Sequence, residues 1–113
     1  MSKGKLEARI TEAVVGFERD FMGRGPLEAR TYIVDDMAIV RLKGVLTPAE
    51  HQLVSVKPET NGRDLIKRMR EALIENGRPL LEIALEKILQ RKIRSMHTDI
   101  STITGERIII FVF

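Results

Sequence analysis

The chain has 113 residues, of which 43% are apolar and 31% charged, with 19 Lys or Arg against 16 Asp or Glu. A chain of this length forms one domain, here residues 1–113, that buries roughly 65% of its unfolded surface. No cysteine and only two histidines, His51 and His97, exclude disulfides, thiolate nucleophiles, sulfur-bound zinc and a histidine-rich metal centre, so no metal and no cofactor are expected.

The elements can be taken in chain order. Leu6, Ile10, Ala13, Val14, Phe17 and Phe21 recur at steps of three and four, which predicts a first helix ended by Gly23. Two β-rich runs, Glu28 to Val34 and Met37 to Leu42, flank Asp35-Asp36 and predict a tight hairpin. Leu46-Thr47-Pro48-Ala49-Glu50 is a helix start: Thr47 is the N-cap, Pro48 the first helical residue and Glu50 the capping-box partner. That helix runs to about Val54, and Ser55 to Thr60 with Pro58 reads as a loop. Asn61 is placed to cap a long helix with Leu65, Met69, Ala72 and Leu73 as its inner face. Leu80, Ala84, Leu85 and Ile88 continue it beyond Pro79, where the helix either kinks or two helices meet. Strands at about Lys92 to Asp99 and Arg107 to Phe113 complete the chain.

The fold class is therefore α+β, in the order α-β-β-α-α-β-β. Two helix-plus-hairpin units give a four-stranded, mainly antiparallel sheet with helices on one face. Arg30-Thr31-Tyr32-Ile33-Val34-Asp35 and Arg94-Ser95-Met96-His97-Thr98-Asp99 echo each other loosely. An internal repeat over 5–43 and 63–113 would explain the echo and would set both Asp-containing turns at one end of the sheet; two unrelated hairpins are the alternative.

In the last strand Ile108, Ile110 and Val112 point one way and Ile109, Phe111 and Phe113 the other, so both faces require cover. The helices cover one face. A second subunit is expected on the other, with Ile109, Phe111 and Phe113 as the homodimer interface.

The basic excess lies between residues 63 and 94, with nine Lys or Arg against five Asp or Glu. The acids are interleaved with the bases, which describes a solvated helix face, with weak nucleic-acid binding through this helix as an alternative. One Tyr, four Phe and no Trp leave little for base stacking, so nucleic acid is not the expected partner.

Two places have site-like chemistry. Gly23, Arg24, Gly25 and Pro26 form a turn that could hold a small anion, although a helix cap followed by proline accounts for three of the four. In the last hairpin Arg94, His97, Asp99 and Thr102 form a polar group, with His97 and Asp99 two apart and so on one face of a strand. Ordinary turn chemistry explains most of it and leaves His97 over. No catalytic set is assigned; a small enzyme using His97 and Asp99 is the alternative to a binding protein.

Phe21-Met22-Gly23-Arg24-Gly25-Pro26, Ala29-Arg30-Thr31-Tyr32-Ile33, Gly44-Val45-Leu46-Thr47-Pro48-Ala49-Glu50, Met96-His97-Thr98-Asp99-Ile100-Ser101 and Thr104-Gly105-Glu106-Arg107 with Phe111 span the chain. Together they resemble the MpsC-like family, named for a Na+-translocating membrane-potential-generating system. Leu89-Gln90-Arg91-Lys92 departs from the Thr-Gly that relatives often have there. The resemblance implies a small cytoplasmic accessory or regulatory protein linked to a membrane Na+ or inorganic-carbon transport system, with a membrane-associated protein as partner, and supplies no catalytic residues. No apolar run approaches the ~20 residues that a membrane-spanning helix requires.

Overall fold

Ser2 Oγ accepts a hydrogen bond from the Lys5 backbone N–H (3.3 Å) and so starts α1 (Lys3–Met22). Gly23 ends it in the left-handed region, at φ 94°. The computed structural model describes residues 2–55 and 61–113.

After α1 come β1 (Glu28–Val34), β2 (Met37–Lys43), α2 (Pro48–Ser55), α3 (Gly62–Leu89), β3 (Ser95–Ile100) and β4 (Arg107–Val112). This is the predicted α+β order, and the strands form one antiparallel sheet ordered β1-β2-β4-β3. Asp35, at φ 54°, makes the tight β1–β2 turn without glycine, since a short polar side chain tolerates that conformation. Ladder pairing lines up Val34, Met37, Val112 and Ser95 across the sheet, then Tyr32, Ile39, Ile110 and His97, then Arg30, Arg41, Ile108 and Asp99. The β1–β2 turn lies beyond the first of these rows and the β3–β4 turn beyond the last. The two turns thus occupy opposite ends of the sheet, not one end, because the central pair β2–β4 is itself antiparallel.

Burial alternates along the strands. Ala38, Val40 and Leu42 of β2, Ile109 and Phe111 of β4, and the following Phe113 join Ile10 and Val14 of α1 and Ile66, Ile74, Leu81 and Leu85 of α3 in one core. This corrects the expected interface: Ile109, Phe111 and Phe113 face the helices, whereas Ile108, Ile110 and Val112 lie on the open face. Both sets are apolar, so alternation shows that two faces need cover without showing which one the helices take.

The first half of the α3 inner stripe is also one residue away from the predicted one, whereas Leu85, predicted on its continuation, is buried and Ile88 packs against the core. Leu65 is 53% exposed and Met69 42%, while Ile66, Arg70, Ile74, Gly77, Leu81 and Leu85 face inward. An arginine and a glycine interrupt the true stripe, which makes the neighbouring apolar set the more regular pattern. Asn61 does not cap through its side chain; at φ 52° it offers its backbone carbonyl to Leu65 N (3.1 Å). The helix runs uninterrupted through Pro79, where Arg78 pairs with both Glu75 and Glu82. Of the loop expected at Ser55 to Thr60, Ser55 closes α2 and the remainder lies outside the described residues.

Gly62 and Gly77 permit close helix contacts. A Cβ on Gly77 would sit 2.3 Å from Cζ of Phe17 on α1, and one on Gly62 would sit 2.1 Å from the Leu53 carbonyl oxygen on α2. Backbone yields less readily than a side-chain tip, so Gly62→Ala is expected to cost about 1–3 kcal/mol by overpacking. Thermal unfolding followed by circular dichroism checks this: a melting temperature equal to or above that of the parent chain would contradict the close α2–α3 approach.

Candidate functional site

Thr47 and Glu50 form the predicted capping box: Thr47 N donates to Glu50 Oε1 (2.8 Å) and Glu50 N donates to Thr47 Oγ1 (3.1 Å). The same carboxylate receives Arg70 from α3, Nε to Oε2 at 2.9 Å and Nη2 to Oε1 at 2.6 Å, and Arg70 Nη2 also donates to the Val45 carbonyl (2.8 Å). Both side chains are buried. Burial works to raise the Glu50 pKa, but the hydrogen bonds from Arg70 and from Thr47 N outweigh it and hold the carboxyl below its ordinary value.

Glu18 of α1 and Arg107 of β4, each 1% exposed, form a looser second pair, with Nε 3.9 Å from Oε1. Arg107 Nη1 donates to Thr98 Oγ1 (2.8 Å), and that hydroxyl donates to the Ile108 carbonyl (2.8 Å). Both oxygens of Glu18, with Nε and Nη2 of Arg107, have no hydrogen-bond partner among the described residues. Burial raises the Glu18 pKa, with Arg107 and Arg70 pulling it back, and burial lowers that of Arg107. Four buried charges thus join α1, α2, α3 and β4. Sequence periodicity passed over three of them, although each stands where an apolar residue was due: Glu18 four after Val14, Arg70 four after Ile66, and Arg107 two before Ile109.

The residues singled out from sequence divide between the two faces. Gly23 is the helix cap, and Arg24 reaches the carbonyls of Leu46 and Gly44 at 3.4 and 3.5 Å, so its donors turn inward and do not form an open anion fork. Gly25 and Pro26 are half-buried beside it. Val45 N donates to the Gly105 carbonyl (3.0 Å), which ties this end to the β3–β4 turn, where Thr102 is buried. Arg94 is exposed and its backbone N–H opens β3 by donating to the Val112 carbonyl (2.7 Å).

His97 and Asp99 are apart from this, exposed on the open face. His97 Nε2 lies 3.1 Å from Ser95 Oγ. Asp99 Oδ1 accepts from Ile100 N (2.8 Å) and pairs with Lys67 (3.1 Å), contacts that hold its pKa below the ordinary value. Each is engaged elsewhere, and no contact among the described residues joins them into an acid–base pair.

The open face has an apolar end, with Val34, Met37, Ile39, Ile110 and Val112, and a charged end. There a concavity of about 580 Å³ is lined by Glu28, Ala29, Arg30, Tyr32, Arg41 and Lys43. Arg30 stands directly opposite Arg41, an unfavourable like-charge pair. Glu106 balances Arg41 and Glu28 lies 3.7 Å from Lys43, while Arg30 has no ion-pair partner among the described residues. Also among the described residues, no group of three or more His, Asp or Glu is placed to hold a metal, and no helix is long and apolar enough to cross a membrane.

Residues 2–113 match the model of a family described as "Na+-translocating membrane potential-generating system (MpsC)". The chain is also 42% identical over 110 residues to "Uncharacterized protein YbcI" of Bacillus subtilis (strain 168), covering 97% of this chain and 86% of that protein. No solved structure matches.

Removing either partner of the Glu50–Arg70 pair leaves a buried charge alone, so Glu50→Ala and Arg70→Ala should each cost about 3–5 kcal/mol, and the double variant less than their sum. Urea unfolding of the four-member cycle measures the coupling; additive losses would deny the pair. The two acids also carry opposite pH signatures. Glu50, with its folded pKa depressed, contributes stability that is lost as pH falls below 4.5 through the folded value. Glu18, with its folded pKa raised, disfavours folding increasingly as pH rises from 4.5 through the folded value, and a Glu18→Gln variant should lack that loss. Stability of the parent and of Glu18→Gln, measured across that range, should diverge in this sense; parallel profiles would be inconsistent with it.

Proposed function

Because the chain belongs to the family of the Na+-translocating membrane potential-generating system (MpsC), we propose that it is a non-enzymatic accessory or regulatory protein of a membrane Na+ or inorganic-carbon transport system. It works by contact, and that contact depends on the open face of the sheet. The observation that carries this reading is the apolar band of Val34, Met37, Ile39, Ile110 and Val112, which no element of its own chain covers among the described residues. A contiguous uncovered apolar surface marks an interaction site in a folded protein.

The same geometry weakens the enzymatic alternative. The motif residues that look chemical are largely occupied with structure: Thr98 holds Arg107, Asp99 holds Lys67, and Ser101 Oγ accepts from Thr104 N (3.2 Å). Nor does α3 present an unbroken basic surface to nucleic acid, since Arg70 is buried on Glu50 and Arg78 is shared between Glu75 and Glu82.

Affinity capture from the detergent-solubilised membrane fraction of the native cell tests the proposal, with Ile39→Asp/Ile110→Asp as the altered face. The parent chain should retain ion-transport membrane proteins, identified by mass spectrometry, and the variant should lose them. Recovery of none, or equal recovery by both, would overturn the reading.

A further inference from the structure

We propose that the open face is closed by a second copy of the chain, packed face to face about a twofold axis that runs along the strands between β2 and β4. The inference rests on the functional reading's dependence on the open face and names what occupies that face: the second copy, with transport proteins held by the dimer so formed.

The strand order and register supply the argument. With the sheet ordered β1-β2-β4-β3, a rotation about that axis sets β1 of one protomer over β3 of its partner and β2 over β4. Position along the strands is unchanged by such a rotation, so each ladder row meets its own counterpart. In the first row Met37 comes over Val112 and Val34 over Ser95; in the second, Ile39 over Ile110 and Tyr32 over His97. The apolar ends coincide, and every residue of the apolar band meets a side chain of the other copy.

The third row makes the match specific. There Arg30 of one copy comes over Asp99 of the other, twice by symmetry. Of the open-face cations Arg30, Arg41 and Lys43, Arg30 is the one without an ion-pair partner among the described residues, and it is set against the like charge of Arg41. Both of Asp99's contacts, with Ile100 N and Lys67, use Oδ1 and leave Oδ2 for a guanidinium. An axis across the strands would instead lay the apolar end on Arg30, Arg41 and Lys43 and desolvate these charges against apolar side chains, leaving Arg30 with no partner in either copy. Packed sheets cross at about −30°. The edge strands lie roughly 7 Å from the axis, one and a half strand spacings. The crossing therefore moves Arg30 about 4 Å relative to Asp99, a distance a long flexible arginine spans.

Light scattering after size exclusion should give twice the 12.9 kDa chain mass. Arg30→Asp places carboxylate against carboxylate, and Asp99→Arg places guanidinium against guanidinium. Each should weaken self-association at least about tenfold while circular dichroism still shows a folded chain. The decisive sample is an equimolar mixture of the two variants. In the heterodimer one contact sets the introduced carboxylate against the introduced guanidinium and the other keeps the unchanged Arg30 with the unchanged Asp99, so association returns. A monomeric parent chain, a dimer indifferent to Arg30→Asp, or a mixture that stays monomeric would each overturn the proposal. If Asp99→Arg fails to fold, Asp99→Lys takes its place in the mixture. A monomer that still captured transport proteins through this face would overturn the second copy and leave the functional reading standing, and a dimer that captured none would do the reverse.

Discussion

The buried charges of Glu18, Glu50, Arg70 and Arg107 are the constraint on which the rest of the structure depends. Each comes from a different element and all four are buried, so the elements must meet in the one arrangement that pairs them. A buried ion pair contributes little net stability compared with apolar residues of the same shape, but breaking one is costly. Such pairs act on which packing is chosen. Glu50 shows how closely the choice is drawn: its carboxylate caps its own helix at Thr47 and receives both arms of Arg70, so α2 cannot shift along α3 without losing the cap or the pair.

The cluster also accounts for how the chain distributes its apolar residues. Charge occupies places on the inner stripes of α1 and α3 and on the inward side of β4, and the core closes around it through Ile10, Val14, Ile74, Leu81 and Phe111. The polar hairpin belongs to the same design. Thr98 carries Arg107, Ser101 caps the turn, and Gly105 accepts Val45 N, so residues that look reactive in sequence are holding β3 and β4 onto the α2 end. The two site-like motifs therefore meet through the segment at Gly44 to Leu46, while His97 remains outside, on the sheet's other side.

Element order, the hairpins and the capping box were legible because each rests on local chemistry: Thr47, Pro48 and Glu50 carry their meaning within four residues. What stayed hidden was always a choice between two equivalent patterns. Leu65 and Met69 formed a better helical stripe than the real one because Arg70 and Gly77 sit in the real one, and only Glu50, twenty residues away in sequence, makes an inward arginine tolerable. Likewise Ile109, Phe111 and Phe113 could not be told from Ile108, Ile110 and Val112, since the two sets differ only in which helix layer exists to meet them. The clue to both lay in charge: Arg107 shares parity with Ile109 and Phe111, so once Arg107 is paired with Glu18 of α1 that side of β4 must face the helices.

The same logic bears on why the uncovered surface is a face and not an edge. A sheet can also recruit a neighbour through the unpaired backbone of β1 or β3, and natural sheets deter this with short strands and charge. Here β3 has six residues, and the outward side of β1 and β3 has Glu28, Arg30, His97 and Asp99 beside Tyr32, Val34 and Ser95, whereas that of the central strands has Met37, Ile39, Ile108, Ile110 and Val112 beside Arg41 and Lys43. Edge strands richer in charge than the centre favour broadside contact over strand addition. Because the rim charges are of opposite sign on the two edges at the same ladder level, Arg30 on β1 and Asp99 on β3, the surface is complementary to itself when turned over along its strands.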